Sequence, residues 1–202
     1  NGHVPVTSIV SAIAVVSAVL GRHDTVAMSN EASADQPTLV DDAGRPVNHQ
    51  WSKSSAFEHA FAALVRNQVH PDLVYASFLR PASELSIARR FATLTAHHGT
   101  FNSCNRAFHL RGETTEWCGD CPKCRFVFLV LAPFLDPDAL VGIFGRDLLD
   151  DPAQVDGFAA LAAIGGPKPF ECVGESEESA AALRCLAARP AWQDHAVVRA
   201  LA

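Results

Sequence analysis

The spacing of apolar residues changes along the chain, and each change marks an element. Val6 to Leu20 is apolar apart from Thr7, Ser8, Ser11 and Ser17. Pro5 with Thr7 or Ser8 supplies a start and Gly21 a stop, so the run reads as a buried helix. It is shorter than the roughly twenty residues that a bilayer requires. Thr25 to Met28 reads as a short buried strand, and Ser29-Asn30-Glu31-Ala32-Ser33 follows it. Phe57, Phe61, Leu64, Val65 and Gln68 recur at helical spacing and predict an amphipathic helix over residues 55 to 68. Leu73 to Leu79 is a second strand, ending at Arg80-Pro81. Ser83 can cap the next helix, with Leu85, Ala88, Ala92 and Thr95 on its buried face. Arg125 to Leu131 fits helix or strand equally well. Asp136-Pro137 and Asp151-Pro152 each pair an N-cap with a first-turn proline and start two further helices. Gly165-Gly166 closes the second. Ser176 caps a last long helix over residues 177 to 188, ended by Pro190.

Helix, strand, loop, helix, strand, helix is the order of an α/β protein with a parallel sheet and crossover helices. In such sheets ligands bind beyond the carboxyl ends of the strands. Those ends are Ser29 to Ser33 and Arg80 to Glu84, so two segments distant in sequence are expected to meet at one site. The long polar stretch up to Ser54 belongs to the same end, and a loop of that length inside a domain is usually functional or disordered.

The densest chemistry lies further on. Four of the six cysteines, Cys104, Cys118, Cys121 and Cys124, fall in one short stretch. Cys118-Gly119-Asp120-Cys121-Pro122-Lys123-Cys124 is two overlapping C-x-x-C units, and Gly119 and Pro122 supply its turn chemistry. A two-residue spacer lets paired thiolates turn back onto one ion, and four thiolates close a tetrahedral zinc shell. Two disulfides or an iron–sulfur cluster are the alternatives. A closed shell leaves no position for substrate, so the expectation is structural zinc. Cys172 and Cys185 read as buried thiols, and Trp51, Trp117 and the phenylalanines as core.

Composition limits the class. The chain has 202 residues, 49% of them hydrophobic, which is enough for a sizeable core. A net charge of −6 argues against a domain that wraps nucleic-acid phosphate without specificity. The cysteine pattern suits a reducing compartment. The opening residues lack an initiating Met and a basic leader, and the sequence ends in a helix-like run, so a fragment of a longer protein is expected.

In this order, the motifs resemble the later half of the PP-loop ATP pyrophosphatase fold, as in the 7-cyano-7-deazaguanine synthases. The wording is closer to the UDP-N-acetylmuramoyl-L-alanyl-L-glutamate epimerase family. The resemblance lies in Asn1 to Thr7, Ser29 to Ala34, Val47 to Ser54, Leu79 to Leu85, Ser103 to Phe108, Trp117 to Phe128 and Lys168 to Glu175. The superfamily's Ser-Gly-Gly-x-Asp-Ser phosphate loop is absent from the sequence and is expected upstream of Asn1. The resemblance implies a cytoplasmic isomerase of peptidoglycan precursor synthesis. It would use ATP with Mg²⁺ to activate the terminal L-Glu of a UDP-linked muramoyl dipeptide and invert it to D-Glu. Another PP-loop ligase, or a zinc-binding interaction module without catalysis, is the alternative.

On that basis Glu31, His49, Lys53 and Glu84 are the candidate catalytic residues. Glu31 suits a metal ion or a base, His49 titrates near neutrality, and Lys53 suits an anionic group. Asn1, His3, Ser29, Asn30, Ser33, Asn48, Gln50, Ser52, Ser54, Arg80 and Arg106 are candidates for binding substrate or nucleotide. Arg80 can clamp a carboxylate or pair with Glu84, Ser54 or Ser55 can cap the following helix, and Arg106 can instead orient a zinc thiolate. The expected division is an α/β half-domain over residues 1 to 100, a zinc-knuckle region over 101 to 135 and a helical extension over 136 to 202.

Overall fold

The computed structural model describes residues 4–107 and 116–202. Asn1, His3 and Phe108 therefore lie outside the described residues. The chain forms two compact units, Asn1–Ser83 and Glu84–Ala202. The two units part before the third long helix, and the cysteine knuckle shares one core with the helical tail.

In the first unit, helix α1 (Val6–Gly21) leads into strand β1 (Thr25–Met28). Arg22 stops α1 in the left-handed conformation, with φ 55°, so the stop falls one residue past the expected Gly21. A two-stranded antiparallel hairpin follows, β2 (Leu39–Val40) and β3 (Pro46–Val47), with 3₁₀ turns at Ala32–Asp35 and Trp51–Lys53. The long polar stretch thus has secondary structure of its own. Helix α2 (Ser55–Gln68) then returns the chain to strand β4 (Val74–Ser77). β1 and β4 pair in parallel, Thr25 opposite Val74 and Met28 opposite Ser77.

The core of this unit is small: Val15, Ala18, Val26, Val65, Leu73 and Tyr75. The Ser11 and Tyr75 hydroxyls hydrogen-bond at 2.7 Å inside it. This contact keeps a buried serine of an apolar helix satisfied. Three sequence expectations change. Only Val26 of β1 is buried. α1 buries just Ser11, Val15 and Ala18, and its outer face leaves Ile9, Ile13, Val16 and Leu20 exposed. α2 is turned so that Glu58 is buried and Leu64 is 53% exposed. Trp51 is also exposed, although it stacks edge-on against Phe57.

The second unit is helical: α3 (Glu84–Ala92), α4 (Pro122–Leu131), α5 (Pro137–Phe144), α6 (Val155–Leu161), α7 (Ser176–Ala187) and α8 (Ala196–Leu201). The segment that fitted helix or strand is α4, and it is the centre of the unit. Phe126, Phe128, Leu129 and Leu131 of α4 are fully buried among Leu140, Leu148, Phe158, Leu183 and Trp192. Phe128 packs edge-on against Phe144 and Trp192, with ring centroids 5.0 and 6.3 Å away. Arg189 donates to the carbonyls of Ala132 and Pro133 just past the carboxyl end of α4. Ala88 is the buried residue of α3, and Thr95 lies exposed beyond it. Gly165 follows the turn after α6, which already ends at Leu161 with Ala163 in a left-handed conformation. α8 lies beyond the helix expected to be last. Cys172 is half-buried and Cys185 exposed, against the expectation of two buried thiols. No helix among the described residues is long and apolar enough to cross a membrane.

Truncating Phe128 to Ala should cost about 3–5 kcal/mol, because two aromatic neighbours cannot close the resulting cavity. Urea unfolding followed by tryptophan fluorescence measures it.

Candidate functional site

The parallel pairing of β1 and β4 brings their carboxyl ends side by side, and the chain beyond both strands is knitted together there. Asn30 is buried and donates from Nδ2 to Ser77 Oγ at 3.1 Å. The Ala32 amide donates to the Ala82 carbonyl at 3.1 Å. The segments 29–33 and 77–82 therefore meet, as the strand-end rule requires.

Arg80 is the pin of this arrangement. Its guanidinium donates to the Glu31 carbonyl at 3.1 Å, to the Lys53 carbonyl at 2.8 Å and to Glu58 Oε2 at 2.8 Å. Asp35 lies 3.9 Å away. Arg80 thus pairs with Glu58, where the sequence offered Glu84 or a ligand carboxylate. Glu58 also accepts from the Ser77 amide at 3.2 Å and from the Ser77 hydroxyl. Burial works to raise the Glu58 pKa, but the Ser77 hydroxyl and Arg80 outweigh it and hold the carboxyl below its ordinary range. Glu58 and Ser77 escaped the sequence reading. The available signal was an acidic residue beside Phe57 and within a turn of Phe61 on an otherwise apolar face.

The polar stretch before α2 is fastened in the same way. Asn48 donates to the Ala34 carbonyl at 2.8 Å and accepts from the Gln50 amide at 2.9 Å. His49 Nδ1 shares a short hydrogen bond with the Thr38 hydroxyl. Ser54 is the N-cap of α2 and accepts from the Phe57 amide at 3.2 Å. Ser33, Gln50 and Ser52 are buried. Of the candidates, Asn30, Asn48, Ser54 and Arg80 therefore shape the site from within. Ser29 is exposed, and Glu31, His49 and Lys53 are half-buried. These four keep part of their surface open to solvent. Glu84 lies in the second unit, where its amide and that of Leu85 donate to Glu178 at 3.1 and 2.9 Å.

The second chemical centre is the cysteine knuckle. The sulfurs of Cys104, Cys118, Cys121 and Cys124 all lie within 4.8 Å of one another. The Cys104–Cys121, Cys118–Cys124 and Cys121–Cys124 separations are 3.9, 3.7 and 3.4 Å. A tetrahedron with metal–sulfur bonds of about 2.3 Å has edges of about 3.8 Å, so the set fits a zinc ion. All four thiols are free of disulfides. Three amides point at the sulfurs: Arg106 N to Cys104, Asp120 N to Cys118 and Cys124 N to Cys121, each at 3.4 Å. Such donors stabilise bound thiolates. Gly119 turns the chain with φ 65°, and a Cβ there would meet Arg146 Nε at 2.7 Å. The hydrogen bond shared with Cys124 holds the Cys121 thiol down, at about 4, and pushes Cys124 up. Arg106 is exposed and pairs with Asp120 at 3.1 Å, and Arg125 reaches the same carboxylate at 2.7 Å. Arg106 therefore braces the knuckle.

Two sequence profiles match the chain. Residues 1–78 match the MurL N-terminal domain and residues 100–202 the MurL C-terminal domain. The chain belongs to the MurL family. Three curated relatives carry the name UDP-N-acetyl-alpha-D-muramoyl-L-alanyl-L-glutamate epimerase. The protein from Xanthomonas oryzae is 52% identical over 201 residues, covering 98% of this chain and 44% of that protein. Those from a Micromonospora species and from Salinispora tropica are 51% and 49% identical, covering all of this chain and 45% and 44% of theirs. The chain thus spans less than half the length of the curated relatives it matches. No solved structure matches it.

Because the folded pKa of Glu58 is lowered, its stabilising contribution is present above the ordinary carboxylate value and lost as pH falls through the folded value. Glu58→Gln should cost about 2 kcal/mol at pH 7. The gap to the parent should narrow as the solution is acidified below the ordinary carboxylate range. Denaturant midpoints across that pH series check the sign.

Proposed function

We propose that the protein carrying this chain is an ATP-dependent epimerase that converts the terminal L-Glu of UDP-N-acetylmuramoyl-L-Ala-L-Glu to D-Glu for peptidoglycan precursor synthesis in the cytoplasm. The observation that carries this reading is the identity of about half of all positions, over nearly the whole chain, to three proteins named for that reaction.

The chemistry needs carboxylate activation. A free carboxylate makes its α-proton nearly impossible to remove, because a second negative charge would build beside the first. Transfer of AMP from ATP to the α-carboxylate, with loss of pyrophosphate, cancels that charge. A positioned base can then remove the proton while donors hold the enolate oxygen. Hydrolysis afterwards makes the cycle one-way. Ser29, Glu31, His49 and Lys53 are the residues of the first unit proposed to meet nucleotide and substrate. Lys53 would offset anionic charge, and Glu31 would hold Mg²⁺. A PP-loop fold is supported by the β1–α2–β4 parallel crossover and by ligand-type residues at the strand ends. The apolar outer face of α1 is also consistent with a larger α/β domain.

Zinc is proposed as a structural ion, held by Cys104, Cys118, Cys121 and Cys124. It would supply a crosslink between the segment of Cys104 and the first turn of α4. The four-sulfur geometry supports this role and leaves no open ligand position.

Incubating the full-length protein with the L,L-substrate, ATP and Mg²⁺ in D₂O should yield D-Glu after acid hydrolysis, with deuterium at Cα and AMP released. Absence of both D-Glu and exchange would overturn the reading. Elemental analysis should find one zinc per chain. Cys124→Ser should lose the metal and most of the cooperative unfolding of the second unit, since structural zinc sites contribute folding energy outright.

A further inference from the structure

The β2–β3 hairpin lies within the polar stretch, and its register sets one side-chain pair at its open end. Asp41 closes the turn. Its carboxylate accepts from the Ala43 and Arg45 amides at 2.9 and 2.8 Å and from Arg45 Nε at 2.8 Å. The Asp41 amide donates to the Arg45 carbonyl at 2.9 Å, and Leu39 lies opposite Val47. At the open end the Thr38 amide donates to the Val47 carbonyl at 2.9 Å. Just beyond Val47 comes His49, and its Nδ1 lies 2.5 Å from the Thr38 hydroxyl. The backbone beside His49 is fastened as well. Asn48 is tied through its side chain to the Ala34 carbonyl and the Gln50 amide, and the Trp51 amide donates to the Asn48 carbonyl at 3.2 Å.

This anchoring sets His49 apart from the other candidates at the strand ends. Among the described residues, Lys53 is held through its backbone carbonyl and Glu31 through a 3.4 Å contact of its carboxylate with Ser33 Oγ. His49 is half-buried, and its ring itself has a partner at 2.5 Å. That partner is a neutral hydroxyl. A carboxylate at Nδ1 would favour the imidazolium, whereas a hydroxyl accepts from Nδ1–H in the neutral and the charged ring alike and adds no charge of its own. With Nδ1 protonated and held, the lone pair of the neutral ring is on Nε2. A base oriented by a further group is the recurring arrangement of proton-transfer sites.

We propose that His49 Nε2 is the base that removes the α-proton of the L-Glu residue, and that Thr38 is the positioning residue that holds its ring. This rests on the epimerase reading. Thr38 Oγ1 accepts from Nδ1–H, which leaves Nε2 to accept the proton. In that step Nε2 takes the Cα proton and the ring becomes an imidazolium, while the C–H electron pair moves onto the carbonyl oxygen of the activated carboxyl group as an enolate. Nδ1–H keeps its bond to Thr38 throughout. The enolate carbon then takes a proton from a water molecule on the opposite face. The hydroxide so formed takes the Nε2 proton, which restores both the water and the neutral ring.

The test uses the full-length protein with Thr38→Val, Thr38→Ser and His49→Gln variants. Thr38→Val removes the hydroxyl and keeps the backbone bond to Val47. The first measurement needs no turnover. In NMR spectra of ¹⁵N-histidine-labelled protein at alkaline pH, the His49 signals are identified by their loss in His49→Gln. They should show Nδ1–H in the parent and in Thr38→Ser, and shift toward Nε2–H in Thr38→Val. The second measurement compares deuterium uptake at Cα from D₂O, starting from the L,L-substrate, with substrate-dependent ATP–pyrophosphate exchange. His49→Gln should lower uptake by about 10³-fold, far more than it lowers exchange. Thr38→Val should lower uptake by about 10²-fold, and Thr38→Ser by less than about threefold. Uptake by His49→Gln within about threefold of the parent overturns the base. An unchanged His49 tautomer or undiminished uptake in Thr38→Val overturns the positioning role. A parent protein that itself neither exchanges nor inverts would instead remove the epimerase reading, while the tautomer comparison still reports on the Thr38–His49 bond.

Discussion

The first turn of α4 is the constraint on which the second unit depends. Cys121 is its N-cap, Pro122 occupies its first helical position and Cys124 follows one turn on, so two sulfurs of the four-cysteine set are fixed by helix geometry. The same helix then supplies Phe126, Phe128, Leu129 and Leu131 to the centre of the core. Knuckle and core are therefore one object. Arg125 carries the coupling outward, donating to Asp120 of the knuckle at 2.7 Å and to the buried Gln154 at 2.6 Å. Gly157 leaves room for it, because a Cβ there would stand 2.3 Å from Arg125 Nε. A metal crosslink at this position would stiffen the helix against which α3, α5, α6 and α7 pack.

The first unit has a different pin with the same logic. Arg80 and Glu58 bind strand ends, polar stretch and α2 into one hydrogen-bonded knot. Removing one member would leave buried partners unsatisfied, which costs more than the pair itself contributes. The knot also sorts the polar residues at the strand ends. Those whose side chains close it, Asn30, Asn48, Ser54 and Arg80, set the backbone in place. Ser29, Glu31, His49 and Lys53 are carried at its edge and keep part of their surface open to solvent.

Much of the fold was legible. Helix 55–68, strand 25–28 and the meeting of the two strand ends followed from apolar spacing and from the carboxyl-end rule. The convergence of the four cysteines was expected from their spacing, since each C-x-x-C unit turns its two sulfurs toward one point. Some readings failed for identifiable reasons. α1 was expected to be buried all round because its composition is apolar all round, yet composition does not state how many sides have a neighbour. Leu64 and Glu58 exchanged expected places because a helical pattern fixes the stripe only to within a residue or so, and Arg80 supplied the countercharge that made a buried glutamate stable. Cys172 and Cys185 looked buried by residue type and are not.

The sequence by itself determined the order α1, β1, α2, β4, α3, the parallel pairing, the four-cysteine set and, through long shared strings, the family. These are local or near-local properties: periodicity, caps and ligand spacing are written in consecutive residues. Only the tertiary structure decided the partner of Arg80, the central position of α4 and the tie of Glu178 to the start of α3. Each of these joins groups far apart in the chain. Their charge and burial depend on what packing brings within a few ångströms, and no local pattern encodes that.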